Sequence, residues 1–132
     1  MIMRTTVDKG KANSILKLVL EPESFVSTIN HEKFPTNAAE NYYEIIKELA
    51  SALLLLDGLK TSGESAHKDL IDYLRNYHEF SEADIFFIND LRIKRNNSFY
   101  EGKKIDFVYL EHNKNKILGT INRLKAMLKK KL

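Results

Sequence analysis

Apolar positions recur at intervals of three and four residues along most of the chain, the period of an amphipathic helix. Ile15, Leu16, Leu18, Val19 and Leu20 mark a first helix over about Asp8 to Leu20. Glu21 and Pro22 end it, and Pro22 suits the first position of a renewed helical turn carrying Phe25, Val26 and Ile29. Asn30 to Pro35 reads as a loop. Thr36 is placed to cap a long second helix, about Asn37 to Lys60. Tyr42, Ile45, Ile46, Leu49, Leu53 and Leu56 form its stripe, widened by Tyr43, Ala50 and Leu54. A helix apolar over most of its circumference belongs at the centre of a bundle.

Thr61 to Ser65 is a flexible link, and Ser65 is positioned to cap a third helix over about Ala66 to His78, with Leu70, Ile71, Leu74 and Tyr77 on its face. Ser81 and Asp84 have the spacing of a capping box and open a fourth helix through Ile85, Phe86, Phe87, Ile88, Leu91 and Ile93, stopping near Glu101 and Gly102. The last helix, about Asp106 to Leu132, carries Leu110, Ile117, Ile121, Leu124 and Leu128. No strand-like alternation of useful length appears. The expected fold is all-α: one domain over residues 1–132, a four- to five-helix, mostly antiparallel bundle with short loops.

A chain of 132 residues can bury one substantial core without a disulfide or metal. It contains no cysteine, which excludes disulfides, thiolate nucleophiles and thiolate metal sites. The longest apolar run, Ala52 to Leu56, is far short of the ~20 residues that span a bilayer. The residues after Met1 lack the apolar core of a signal peptide. The expected location is therefore cytoplasmic. A net charge of +3 permits phosphate contact without requiring it.

The most unusual segment is Asn89 to Gly102. Arg92, Lys94 and Arg95 concentrate positive charge at the end of a very apolar helix, and Arg92 and Arg95, three apart, share a face. Asn96, Asn97, Ser98 and Tyr100 add uncharged hydrogen-bonding groups. Guanidinium forks beside such groups suit a phosphate. The same cations also complement the negative end of a helix dipole, a purely structural role. Glu64 and His67 form a single Glu-x-x-His that straddles a loop. Two-metal helical bundles need that motif on two helices, so no metal site is expected, and no cofactor either. His31, His78 and His112 lie in or near loops and helix ends and are expected to be solvated. His67 is expected to make a packing or capping contact. The basic run from Lys125 to Lys131 reads first as a solvated helix end with favourable dipole placement, and second as a patch for nucleic acid or an acidic partner.

From about Asn37 to Gly102 the chain resembles the HEPN family of small helical domains. The likeness rests on the long helix from Asn41 to Gly58, the Ser65-Ala66-His67 helix start followed by Leu70 to Leu74, and the Arg95-Asn96 stretch ending at Tyr100 to Gly102. Catalytic relatives carry an Arg followed after four to six residues by a His, and a symmetric dimer joins two such motifs in a metal-independent RNase. The resemblance implies that Arg95 holds a phosphate, with Asn96 and Tyr100 positioning or protonating, and the charge and hydrogen-bonding groups of the segment add Arg92 and Asn97 as phosphate-binding candidates. Tyr100 stands where the His would be. A phenol with pKa of about 10 is a poor general base at neutral pH, where a His at about 6.5 is not. A Tyr that some relatives carry two residues further on, the target of AMP transfer by a partner nucleotidyltransferase, corresponds here to Gly102. The resemblance thus implies an RNA- or nucleotide-interacting homodimer, toxin-like and beside a small nucleotidyltransferase. The alternative is a non-catalytic nucleotide-binding or protein-docking helical dimer.

Overall fold

A computed structural model describes residues 1–132. The chain forms helices α1 (Lys9–Leu18), α2 (Leu20–Thr28), α3 (Pro35–Leu56), α4 (Ala66–Tyr73), α5 (Glu82–Glu101) and α6 (Phe107–Lys131). One 3-10 turn, Leu74–Asn76, follows α4, and two short strands, β1 (Ile2–Arg4) and β2 (Leu59–Thr61), complete it. The fold is an all-α bundle carrying a minor β-ribbon. No helix is long and apolar enough to cross a membrane.

The bundle is organised around α3, which touches α1, α2, α4, α5 and α6. Its wide apolar stripe buries eleven side chains, among them Tyr43, Ile46, Leu49 and Leu53, each with no exposed surface. Leu91 and Ile88 of α5 and Ile117, Ile121 and Leu124 of α6 close the same core.

Local signals set the ends of the helices. Asp8 caps α1 by accepting from the Lys11 N–H at 2.9 Å. Ser81 and Asp84 form the capping box of α5: the Asp84 N–H donates to Ser81 Oγ at 3.1 Å and the Ser81 N–H to Asp84 Oδ2 at 2.9 Å. Gly102 ends α5 at φ 69°, a left-handed conformation that costs glycine little. Asp106 opens α6 by accepting from the Val108 N–H.

Several local expectations are corrected. The helix expected over Asn37 to Lys60 runs from Pro35 to Leu56, so Thr36 lies inside it. Thr36 Oγ1 instead accepts from the Ile105 N–H at 2.9 Å, tying the start of α3 to the link before α6. Ser65 occupies the cap position of α4, but its hydroxyl donates to Asp69 Oδ2 rather than accepting from the backbone. α4 ends at Tyr73, well before His78. Pro22 falls within the first turn of α2, which follows α1 after the single residue Val19.

A pair of strands was not expected. β1 and β2 are antiparallel, with Ile2 opposite Thr61 and Arg4 opposite Leu59. Gly58 makes the pairing possible: its φ is 71°, and a Cβ there would lie 3.1 Å from the Thr5 carbonyl oxygen. Three-residue strands are too short to show alternation, and their partners lie more than fifty residues apart in sequence, so neither signal was readable.

Among the buried side-chain polar atoms, only the Tyr43 hydroxyl lacks a hydrogen-bond partner. An unsatisfied buried hydroxyl costs about 1–3 kcal/mol. Tyr43→Phe keeps the ring and removes that cost, so it is expected to raise the unfolding free energy by about 1 kcal/mol in urea titrations. A clear loss of stability would show that the hydroxyl is paired in solution.

Candidate functional site

The C-terminal half of α5 turns its inner face from apolar to cationic. Ile85, Ile88 and Leu91 are buried, and the positions that continue their face carry Arg92 and Arg95. Opposite them, α3 presents Glu40, Glu44, Lys47 and Glu48, its one polar edge. Arg95 is drawn inward: only 13% of its side chain is exposed, an Nη lies 2.9 Å from Glu44 Oε1, and its guanidinium sits 4.5 Å over the Phe99 ring. Lys47 pairs with the other oxygen of Glu44 at 2.8 Å. The Ser98 hydroxyl lies 3.0 Å from Glu40 Oε2 and 2.9 Å from the Arg95 carbonyl oxygen.

Arg92 is held differently. Its Nε donates to Asn89 Oδ1 at 3.0 Å, Asn89 donates to Asp72 Oδ1 at 2.8 Å, and Lys68 pairs with the other oxygen of Asp72 at 2.7 Å. This relay joins α4 to α5 and leaves Arg92, half-buried, with no carboxylate of its own. Arg92 and Arg95 both bear on the buried Tyr43 phenol. Burial dominates there and, against the two guanidinium groups, pushes its pKa up to about 12.

His67, on the first turn of α4, also belongs to this cluster. Burial lowers its pKa below 6.5, and the positive charges of Lys47, Arg95 and Arg92 lower it further while Glu44 opposes them. The imidazole is therefore neutral at pH 7.

The other sequence candidates lie elsewhere. Five residues along a helix turn by about 140°, so Arg95 and Tyr100 point to different sides of α5. Tyr100 is 72% exposed and packs edge-on against Phe99. Asn97 is turned from Arg95 by about 200°, and its carbonyl receives the Gly102 and Lys103 N–H groups that end α5. Asn96 flanks Arg95, with its Oδ1 3.5 Å from a guanidinium nitrogen. The chain thus brings together Arg92, Arg95 and Asn96, but not Tyr100 or Asn97.

Sequence reading missed Tyr43, Glu44 and Lys47. The signal was present: Glu40, Glu44 and Lys47 recur at i, i+4 and i+7 and form a polar line down an otherwise apolar helix.

Two expectations of solvation also fail. The His31 ring bonds the Val26 carbonyl oxygen at 2.6 Å and meets Lys114 at 3.2 Å, so it is part of the packing. Lys125 is largely buried and ion-paired with Glu23. His78 and His112 are exposed. No three His, Asp or Glu side chains converge as a metal site would require.

Comparison with family models, curated proteins and solved structures finds no match for this chain.

The lowered pKa of His67 has a definite consequence for stability. Below pH 6.5 the unfolded chain protonates this residue more readily than the folded one, so folding loses free energy as pH falls from that value through the folded pKa. Replacing His67 by Gln removes that term. Urea midpoints at pH 7.5 and pH 5 are expected to differ less for His67→Gln than for the wild type. Equal differences would place His67 outside the cationic cluster.

Proposed function

We propose that this chain is a HEPN-like RNA- or nucleotide-binding module that works as a homodimer and grips its ligand without cutting it. Arg92 carries the reading: a half-buried guanidinium with no carboxylate partner, clustered with Lys47, Arg95 and His67. With Nε committed to Asn89, its two terminal nitrogens are free to fork onto a phosphate. Arg95, shared with Glu44, serves as the second cation and steadies the first. Asn96 adds a neutral hydrogen-bonding group beside it.

The outer face of α5 supports the dimer. Phe86, Ile93 and Tyr100 are 78%, 47% and 72% exposed. At seven-residue spacing they fall within about 40° of one another on the helix. A straight apolar line of this kind can pair with a symmetry-related copy of itself. Tyr100 then serves the subunit contact rather than proton transfer. A small nucleotidyltransferase, implied by the HEPN resemblance, is the proposed protein partner.

A second reading keeps catalysis and is favoured by His67, neutral at pH 7 and clustered with the two arginines. In a metal-independent endoribonuclease His67, not Tyr100, would accept the proton of the ribose 2′-hydroxyl as that oxygen attacks the phosphorus; the bond to the 5′-oxygen of the next nucleotide breaks, a 2′,3′-cyclic phosphate remains, and the departing 5′-oxygen takes a proton from water. Arg92 and Arg95 would hold the phosphate charge.

Single-stranded RNA incubated in chelator with wild type, Arg92→Ala and His67→Ala separates the two. The expected outcome is intact RNA, binding weakened about tenfold by Arg92→Ala, and a salt dependence of binding reduced by about one charge. Cleavage that disappears in His67→Ala selects the second reading, and absence of both binding and cleavage overturns both. In sedimentation experiments the wild type is expected to be dimeric and the Phe86→Asp/Ile93→Asp double variant monomeric. A wild type that stays monomeric at about 10 μM removes the dimer from the proposal.

A further inference from the structure

A cleft of about 430 Å³ lies between the β-ribbon, α1, the C-terminal part of α3 and α4. Its volume is that of a small-molecule site. It shares Glu48 of α3 with the polar edge that meets the arginine cluster, but Arg92, Arg95 and His67 do not line it, so the inference does not rest on the function proposed above.

The lining is chemically selective. Four hydroxyl-bearing residues line the space, Thr5, Thr6, Ser51 and Thr61, and none of their hydroxyl groups forms a hydrogen bond within the chain. Thr5, Ser51 and Thr61 are themselves partly buried. Lys11 and Lys60, both exposed, border the space, and neither is ion-paired. The two carboxylates at the rim are already engaged, Asp8 with the Lys11 backbone N–H and Glu48 with Lys47 at 3.6 Å. Ile15, Leu54 and Leu70 contribute apolar surface.

We infer that this cleft binds a small phosphorylated sugar. The unpaired ammonium groups answer a phosphate dianion, and hydroxyl groups that can each donate and accept answer a polyol. No aromatic side chain lines the cleft, so a nucleobase would find nothing to stack on. That separates a sugar phosphate from a nucleotide. The ribbon forms one wall, and its pairing depends on Gly58, so the cleft exists only when β1 is docked on β2.

Calorimetric titration of the full chain with ribose 5-phosphate tests the inference, with ribose, inorganic phosphate and AMP as further probes. Ribose 5-phosphate is expected to bind with Kd below about 1 mM and to raise the thermal midpoint. Ribose or phosphate alone should bind at least about tenfold more weakly, each lacking half of the complementary chemistry. Lys11→Gln/Lys60→Gln, at two exposed positions, should weaken ribose 5-phosphate about tenfold or more while leaving the ligand-free thermal midpoint unchanged. Ser51→Leu should fill the cleft and abolish binding. No binding of ribose 5-phosphate, or binding indifferent to the double lysine variant, overturns the site. So does AMP binding that is tighter than ribose 5-phosphate and lost in Arg92→Ala, which assigns the phosphate to the arginine cluster instead.

Discussion

Nearly everything in this molecule follows from one helix being surrounded. α3 is packed by five other helices, and eleven of its side chains have left water. At about 25 cal/mol per Å² of apolar surface, that burial is the largest single source of stability in the chain. It also restricts where polar groups can go. A helix enclosed on most of its circumference has one edge left for charge, and on α3 that edge is Glu40, Glu44, Lys47 and Glu48. The partner helix must answer in kind at the same level, so α5 changes from Leu91 to Arg92 and Arg95 at that point. The cationic cluster thus lies where the core gives out.

The Glu44–Arg95 pair holds this boundary. An ion pair with one partner almost wholly covered contributes little net stability, because desolvation offsets the attraction. Breaking it by removing Glu44 would leave a guanidinium largely out of water without a counter-charge, which costs much more than the pair supplies. What the pair provides is registry. It fixes α5 against α3, and Arg92, one turn earlier, is linked through Asn89 to Asp72 in the last turn of α4. The relay from Arg92 through Asn89 and Asp72 to Lys68 does the same for α4.

The bundle was legible in the sequence wherever a helix announced itself by period and cap. α5 was readable in full, from the Ser81 and Asp84 box to Gly102, because every signal is local. α3 was placed from its stripe, but its N-terminal boundary was read from Thr36, whose hydroxyl goes to a segment almost seventy residues away. The same limit hid the ribbon. Arg92 and Arg95 stood out as charges on an apolar helix, whereas their partners on α3 were masked by the stripe around them. Tyr100 was assigned by its place in a family pattern, although its five-residue offset on a continuous helix already turns it about 140° away from Arg95.

The two-stranded ribbon has a bearing on how the molecule assembles. Its hydrogen bonds join the first few residues to a segment directly after α3, so the intervening chain must be gathered into a loop before either strand has a partner. Helices that recruit neighbours close in sequence need no such gathering and can condense earlier. Backbone amides of Ile2 to Arg4 should therefore be among the last to gain protection from solvent exchange during refolding, and among the first to lose it when the native state opens.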